Sequence, residues 1–356
     1  MQPTLVALIY GGQSPEHEIS VRSARNIYAA FDRQRWEPML IGISKRGQWL
    51  LTRPELLAQE AVVSSGQPLM LCPGAEAFLL AEDGSPLPKP ALAFPIVHGP
   101  GGEDGSLQGL LRLLGLPFVG PDVLGSALCM DKDFTKRILR DADLMVAEYL
   151  CFHAHEQAGI DFAAVRNRLG MPVFVKPANM GSSVGVRRAE DADSFHAAVA
   201  EAFRYDRKIL IEEAISGREV ECAVMGNEIP EASSVGEVKM GGGFYDYDSK
   251  YVSATAAEVL IPAPGLDEEL LAKLRLIASS AYQALGCEGL SRVDMFVCDD
   301  GRVYVNEVNT LPGFTNISMY PKLWEQSGLP YGELISHLLV LALDKAEKQR
   351  QIVRSL

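Results

Sequence analysis

Ser291–Thr310 reads SRVDMFVCDDGRVYVNEVNT, and the interpretation of this stretch decides the rest of the chain. Two β-rich runs flank Asp300-Gly301, the dipeptide preferred by a two-residue type I′ turn. A hairpin closed by that turn sets Asp299 opposite Arg302, Asp294 opposite Glu307 and Arg292 opposite Asn309. Strand side chains alternate, so Arg292, Asp294, Glu307 and Asn309 share one face of the sheet. Directly opposed Cβ atoms lie roughly 4.5–5.5 Å apart, and two carboxylates so placed repel unless a cation sits between them. Asp294, Glu307 and Asn309 offer three hard oxygen donors, a set suited to Mg²⁺ with phosphate oxygens and water completing the octahedron. A hydrolytic metal site would more often bring histidines, and this stretch has none. The competing interpretation is a surface hairpin with solvated charges. Against it, the polar groups of Val305-Asn306-Glu307-Val308-Asn309-Thr310 stand inside an apolar β context. The hairpin thus suggests a metal–nucleotide site, for which the rest of the chain must supply a phosphate grip.

A chain of 356 residues, 47% hydrophobic, is long enough for two or three domains with substantial cores. The net charge of −13 argues against a nucleic-acid partner, while leaving room for a local Lys/Arg cluster that binds a nucleotide. Six scattered cysteines without a CxxC pair read as reduced cytosolic thiols. The N-terminus lacks a basic signal-peptide region, and no run approaches the ~18 apolar residues of a membrane helix. These features predict a cytoplasmic, soluble enzyme or binding protein with no membrane partner.

Leu5–Tyr10, Gly11-Gly12 and a helical segment over Ile19–Phe31 make a strand–turn–helix unit, the opening of an α/β sheet. Further strands are predicted at Met39–Ile43, Gln48–Leu51, Ala93–Val97 and Pro117–Val119, with a Pro/Gly/Ser-rich insertion over 52–90 and a helix at Leu107–Leu114. Residues 1–124 therefore resemble half of a doubly wound fold. A second unit, 125–216, is predicted to open with one helix over Ser126–Ala142 and to hold strands at Pro172–Lys176 and Ile209–Glu213 around a helix at Asp191–Arg204. The third, 217–356, carries strands at Glu219–Met225 and Glu258–Ile261, a helix at Asp267–Leu285, the hairpin and a helix at Tyr331–Arg350.

Val173-Phe174-Val175-Lys176 is a strand ending in lysine, followed by the loop Ala178-Asn179-Met180-Gly181-Ser182-Ser183-Val184-Gly185. Glycine and serine let backbone N–H groups approach phosphate oxygens without Cβ obstruction. The lysine precedes the loop and no Gly-Lys-Ser/Thr follows, so this is not a Walker A motif. The loop returns as a strand, giving a flexible hairpin able to close over a triphosphate; a plain mobile turn is the alternative, and Lys176, costly unless it meets an anion, weighs against it. Ile209–Glu213 running into a polar turn suits an adenine ring, and Glu219 there serves either a ribose hydroxyl or a strand end.

With these stretches in order, the chain resembles the D-alanine–D-alanine ligase family of the ATP-grasp ligases. The resemblance spans nearly the whole chain. It rests on Gly11–Ser20 (GGQSPEHEIS), His98–Gly105 (HGPGGEDG), Met130-Asp131-Lys132, the Lys176–Gly185 loop, Phe244–Tyr251 (FYDYDSKY), Ser291–Asp294 and Asn306–Gly313 (NEVNTLPG). It implies an ATP-grasp fold: α/β overall, α+β in the ATP-binding part, with three subdomains. The implied reaction joins two D-alanines at the cost of ATP through an acyl phosphate, for peptidoglycan precursors; a D-alanine–D-lactate ligase or another ATP-grasp amino-acid ligase is the alternative. By resemblance, Lys132, Lys176 and Lys250 grip phosphates together with Ser182 and Ser183. Glu212, Glu213, Ile215, Glu219, Phe244 and Asn306 complete the ATP site, and Asp294, Glu307 and Asn309 hold two Mg²⁺ ions, which Mn²⁺ can replace. Arg292 and the Gly313 N–H face the acyl phosphate and oxyanion. Glu16, with Ser182 and Tyr251, binds the first D-alanine ammonium, His98 falls in a family motif and counts among the substrate-binding residues, and Ser318 holds the second carboxylate. Two competing assignments stand beside these: Glu16 as an acid at a helix N-terminus, and His98 as a structural histidine. The Tyr245–Tyr251 loop resembles that of dipeptide makers, so the second substrate is expected to be an amine. Met180 and Glu213 depart from the residues common in relatives, Glu and Lys respectively. Relatives are commonly homodimers, and pairing through Leu5–Ala30 or the other first-domain helices is the expectation.

Overall fold

The computed structural model describes residues 2–59, 61–76, 78–240 and 257–353. The opening unit forms where its pattern places it. Strand β1 (Thr4–Gly11) is buried from Val6 onward, and Gly11 and Gly12, both at positive φ, turn the chain toward the helix His17–Ala30. A Cβ on Gly11 would stand 2.2 Å from the Ile43 carbonyl oxygen, so only glycine fits this close approach. Strands β2 (Trp36–Ile43) and β6 (Leu92–Ile96) run parallel to β1 on either side. Between them in sequence, β3 (Trp49–Leu51), β4 (Gln67–Leu71) and β5 (Leu79–Ala81) add an antiparallel edge, in the order β5-β4-β3-β2-β1-β6. The doubly wound character is thus confined to the parallel strands β2-β1-β6 at one end of the sheet, and β3 with the strands of the 52–90 insertion supplies the antiparallel end. Pro117–Val119 does not form a strand; Phe118 makes a single parallel bridge to Ala93.

The single helix expected over Ser126–Ala142 is two helices, Val123–Met130 and Lys132–Asp141. Asp131 breaks them: its backbone is extended, and its carboxylate accepts the N–H groups of Asp133 and Phe134. An aspartate cap of this kind stabilises a new helix start by about 1 kcal/mol, and it sets Lys132 at the first position of the second helix. Next come β7 (Tyr149–His153), the helix Phe162–Leu169, β8 (Val173–Pro177), β9 (Arg187–Ala189), the helix Ala192–Ala202 and β10 (Lys208–Glu213). The sequence pattern did not show β7 or the helix after it. The four strands form an antiparallel sheet, β7-β10-β8-β9, whose apolar face packs on Val165, Phe195 and Val199.

The last sheet is antiparallel, in the order β13-β12-β11-β14-β15: β11 (Arg218–Gly226), β12 (Glu231–Met240), β13 (Ala257–Leu260), β14 (Gly289–Val297) and β15 (Val303–Asn309). Strand β12 and the helix Met319–Gln326 were not anticipated. The helix Glu268–Ala284 covers one face with Leu274, Ala278 and Tyr282, against Val220, Val293 and Met295. The chain then returns to its beginning: Tyr331–Arg350 lays Leu334, Ile335 and Leu338 into the core that holds Val6, Leu8 and Phe94. Each such side chain contributes roughly 1.5–3 kcal/mol when buried, so this helix ties the last unit to the first.

The hairpin corrects the expected turn. Cys298 and Arg302 flank the loop, with the Cys298 N–H donating to the Arg302 carbonyl at 2.9 Å, so Asp299 does not face Arg302 and the connection holds three residues, Gly301 at positive φ. Met295 consequently faces Val305, Phe296 faces Tyr304, and Val297 faces Val303. A bulge at Asn306 then shifts the ladder, and Asp294 pairs with Glu307 and Arg292 with Asn309 after all.

Candidate active site

Ten of the residues expected around ATP line one cavity of about 600 Å³ between the second and third sheets: Lys132, Lys176, Ser182, Ser183, Glu212, Glu213, Ile215, Glu219, Asn306 and Glu307. A second cavity, about 150 Å³, is lined by Glu16, His98, Arg292, Asp294, Asn309 and Gly313, and shares Lys132, Met180, Gly181, Ser182, Glu219 and Glu307 with the first. Phe244, Lys250, Tyr251 and the omega loop expected to carry them lie outside the described residues.

At the floor of the larger cavity Glu212, on β10, pairs with Lys176 on β8 at 2.6 Å. Its other oxygen lies 3.4 Å from the Lys136 ammonium. Burial opposes the charge on Glu212, and the two lysines outweigh it, leaving the carboxyl below its ordinary pKa. Burial pulls Lys132 down, an effect Glu307 only partly offsets. Lys132 donates to the Met180 carbonyl at 2.6 Å, holding the Gly/Ser loop through its backbone. The departure at Met180 therefore leaves this contact untouched, because no side-chain atom of Met180 takes part in it. Glu213 accepts the Glu148 N–H at 2.8 Å on the cavity rim. Ser182 and Ser183 both sit in the left-handed region, with φ of 51° and 58°. Each such residue costs of order 1 kcal/mol, and strain of this kind clusters at ligand clamps.

Glu16 precedes the helix His17–Ala30 and makes no side-chain cap to it. Instead it is buried beneath the loop, where Ser182 Oγ donates to its Oε1. Glycines make the room: a Cβ on Gly99 would meet Glu16 Oε2 at 2.7 Å, and one on Gly181 at 3.1 Å. His98 is held at both ring nitrogens, Nδ1 by the Leu311 carbonyl at 2.9 Å and Nε2 by Ser23 Oγ at 3.2 Å. Burial opposes its charge, but Glu103 outweighs that and raises the pKa. Its hydrogen bonds link the first sheet to the segment after β15, while its side chain also borders the smaller cavity.

On β14 the Arg292 guanidinium grips Asp294 through both carboxylate oxygens at 2.7 and 2.6 Å, and lies 2.8 Å from Glu221. Burial lowers its pKa; Asp294, Glu221 and Glu307 more than offset this and hold it well above the ordinary value. Asn309 Oδ1 accepts the Leu311 N–H at 3.1 Å, which orients its amide. The Thr315 N–H donates to Ser318 Oγ at 2.9 Å, and that oxygen stands close enough to Gly313 to exclude any side chain there, 2.7 Å from a Cβ.

Among the described residues, several at the site escaped the sequence, Lys136, Glu221, Phe174 and Phe296 among them. Lys136 lies one helical turn beyond Lys132, a spacing that places both on one face. Glu221 follows Glu219 by two positions on β11, and that period was the available signal. Phe174 and Phe296 line the larger cavity from β8 and β14, opposite sheets; alternation along either strand would have put them beside Lys176 and Asp294.

Two antiparallel sheets closing on a lysine-lined cleft, with paired acids at its inner end, define an ATP-grasp ligase. Residues 5–121 match the family model described as "D-ala D-ala ligase N-terminus", and residues 138–340 that described as "D-ala D-ala ligase C-terminus". The chain is 51% identical to D-alanine–D-alanine ligase A of Chromobacterium violaceum, covering 98% of each, and 49% identical to D-alanine–D-alanine ligase A of Escherichia coli K12, covering 97% of each. Among solved structures it is similar to the D-alanine–D-alanine ligase of Coxiella burnetii, with TM-score 0.86, 37% identity and coverage of 99% of this chain and 98% of that one. It is also similar to the VanG D-Ala:D-Ser ligase of Enterococcus faecalis, with TM-score 0.87, 33% identity and coverage of 96% and 100%. The chain belongs to the D-alanine–D-alanine ligase family.

Proposed function

We propose that this chain joins two D-alanines through an acyl phosphate, with ATP in the larger cavity and both amino acids in the smaller. The observation that supports this most is the junction of the cavities, where Lys132, Ser182 and Glu307 border both. A γ-phosphoryl group there meets the first D-alanine carboxylate. Glu16 binds the ammonium of that D-alanine and is itself positioned by Ser182, while Lys132 and Lys176 neutralise phosphate charge. The adenine ring lies between Phe174 and Phe296, and Glu212, Glu213, Ile215 and Glu219 frame base and ribose. The amine of the second D-alanine, its carboxylate held at Ser318, attacks the acyl phosphate. Arg292 and the Gly313 N–H stabilise the oxyanion as phosphate leaves.

Asp294, Glu307 and Asn309 fit Mg²⁺, two ions per site with Mn²⁺ able to substitute: the donors are oxygens, two of them opposed carboxylates. Among the described residues no three His, Cys, Asp or Glu side chains form a metal cluster of their own. The ions accordingly bind with the nucleotide, and when bound they supply charge neutralisation on its phosphates. The same reading divides the chain into parts 1–124, 125–216 and 217–356, and places it in the cytoplasm. No helix among the described residues is long and apolar enough to cross a membrane. It also makes the chain a homodimer. With β1 buried, pairing falls to the first unit's helices, where Leu113 is exposed; light scattering tests this.

Phosphate release with ATP, Mg²⁺ and D-alanine, but not L-alanine, is the expected result. Product analysis with D-alanine alone, then with D-serine or D-lactate added, reads the second substrate; no release with D-alanine alone overturns the assignment.

A further inference from the structure

Lys136 is 1% exposed and lines neither cavity, yet its ammonium lies 3.4 Å from Glu212 Oε1. Glu212 Oε2 in turn lies 2.6 Å from Lys176, which does reach the cavity. The order Lys136–Glu212–Lys176 thus runs from the core to the nucleotide. Besides Glu212, Lys136 faces the Tyr149 ring, 5.7 Å away, and Arg140 approaches the same ring at 5.1 Å. A lone Glu212–Lys176 pair would be neutral and would hold Lys176 to its own carboxylate. Two lysines on one carboxylate leave a net positive charge, and only Lys176 can present it to an anion.

We propose that Lys136 is a positioning residue for ATP: through an ion pair without a hydrogen bond, its charge shares the Glu212 carboxylate and frees Lys176 to bind a phosphate. The proposal rests on the placement of ATP given above. It acts entirely through Glu212, which a structural role in the helix Lys132–Asp141 would not require.

The experiment compares wild type, Lys136→Met, Lys136→Arg, Glu212→Gln and the Lys136→Met/Glu212→Gln double variant, each checked for folding by circular dichroism. Calorimetric titration with a non-hydrolysable ATP analogue reads binding, and phosphate release reads KM and kcat. In Lys136→Met the nucleotide Kd and the KM for ATP rise about tenfold, with kcat at saturating ATP and the KM for D-alanine within about twofold. Lys136→Arg recovers part of the loss. In the Glu212→Gln background Lys136→Met has no further effect on nucleotide binding. The proposal is overturned by an unchanged Kd in folded Lys136→Met, by parallel rises in both KM values, or by a further loss in the double variant over Glu212→Gln. Should Lys136→Met fail to fold, the double variant, which removes both buried charges together, decides alone. Wild type inactive with D-alanine would instead remove the proposed function, and the calorimetry would still judge Lys136.

Discussion

Replacing Glu16 by Gln separates two roles that the sequence left open, substrate carboxylate and helix-terminal acid. The substitution keeps the shape and the bond from Ser182 and removes the charge. Glu16 is 8% exposed, so solvent screens its interaction with a bound ammonium only weakly. Ser182 donates to one of its oxygens, and Gly99 and Gly181 make room around the other. A hydrogen bond to a charged group contributes about 1.5–3 kcal/mol against about 1 kcal/mol for a neutral one. The difference, about 0.5–2 kcal/mol, corresponds to a KM for the first D-alanine raised about 2–30-fold. Velocity measured against D-alanine concentration resolves a term for each site, and only the first should move, with the KM for ATP unchanged. A helix-terminal acid predicts something else: a loss of about 0.3–1 kcal/mol of stability, seen as a small fall in Tm, with normal kinetics. Unchanged D-alanine terms together with a lowered Tm would refute the substrate role.

Asp294→Asn and Glu307→Gln should each lower kcat by about a hundredfold or more while circular dichroism stays native, since each removes a negative charge from the proposed ion site; chelation of divalent ions should abolish phosphate release, and its restoration by Mg²⁺ or Mn²⁺ is the matching measurement. Acid should destabilise the chain in a defined direction. Glu212 and Asp133 are both held below their ordinary values: burial opposes their charge, but Lys136 and Lys176 outweigh it at the first, and Arg137 and Tyr149 at the second. Their contribution is complete above the unfolded carboxylate range, about pH 4, and is lost as pH falls through the folded values. Denaturant midpoints measured downward from pH 6 should therefore drop below about pH 4.5, less steeply in Glu212→Gln.

What the sequence revealed depended on how local each cause was. The opening strand–turn–helix, the Asp267-capped helix and the helix Tyr331–Arg350 follow from caps and periodicity within a single element. The break at Asp131 was visible as a capping residue, but the helix-compatible residues on both sides of it masked the signal. Strand β12 ends at residue 240, and its serines and glycine read as loop, because its neighbours β11 and β13 supply the packing that makes it a strand. Lys136 and Glu221 were overlooked for another reason. A buried charge is recognised only by its partner, and the partners are 76 and 71 positions away in the chain, at Glu212 and Arg292.

The hairpin shows how a wrong local turn can coexist with a right site, and the reason is testable. Val303 and Val305 enter the core at odd positions and Val308 at an even one, so the alternation must break between them. A straight ladder from a two-residue turn would point Tyr304 and Asn306 to the side where Val303 and Val305 now pack and turn those two valines into the cleft. One bulge residue at Asn306 resolves the conflict and sends both Asn306 and Glu307 to the nucleotide cavity. Deleting Asp300 should then shorten the loop alone, keeping the Cys298–Arg302 pair, the Asp294–Glu307 pair and activity within about twofold. Deleting Asn306 should keep the core and the opposition of Asp294 and Glu307, since every remaining apolar residue stays in phase, yet straighten the strand where it bends toward the nucleotide. A displacement of about 1 Å there is enough for a hundredfold loss in kcat. A folded Asn306 deletion with near-normal turnover would show that neither the bulge nor the Asn306 side chain is needed at the cleft.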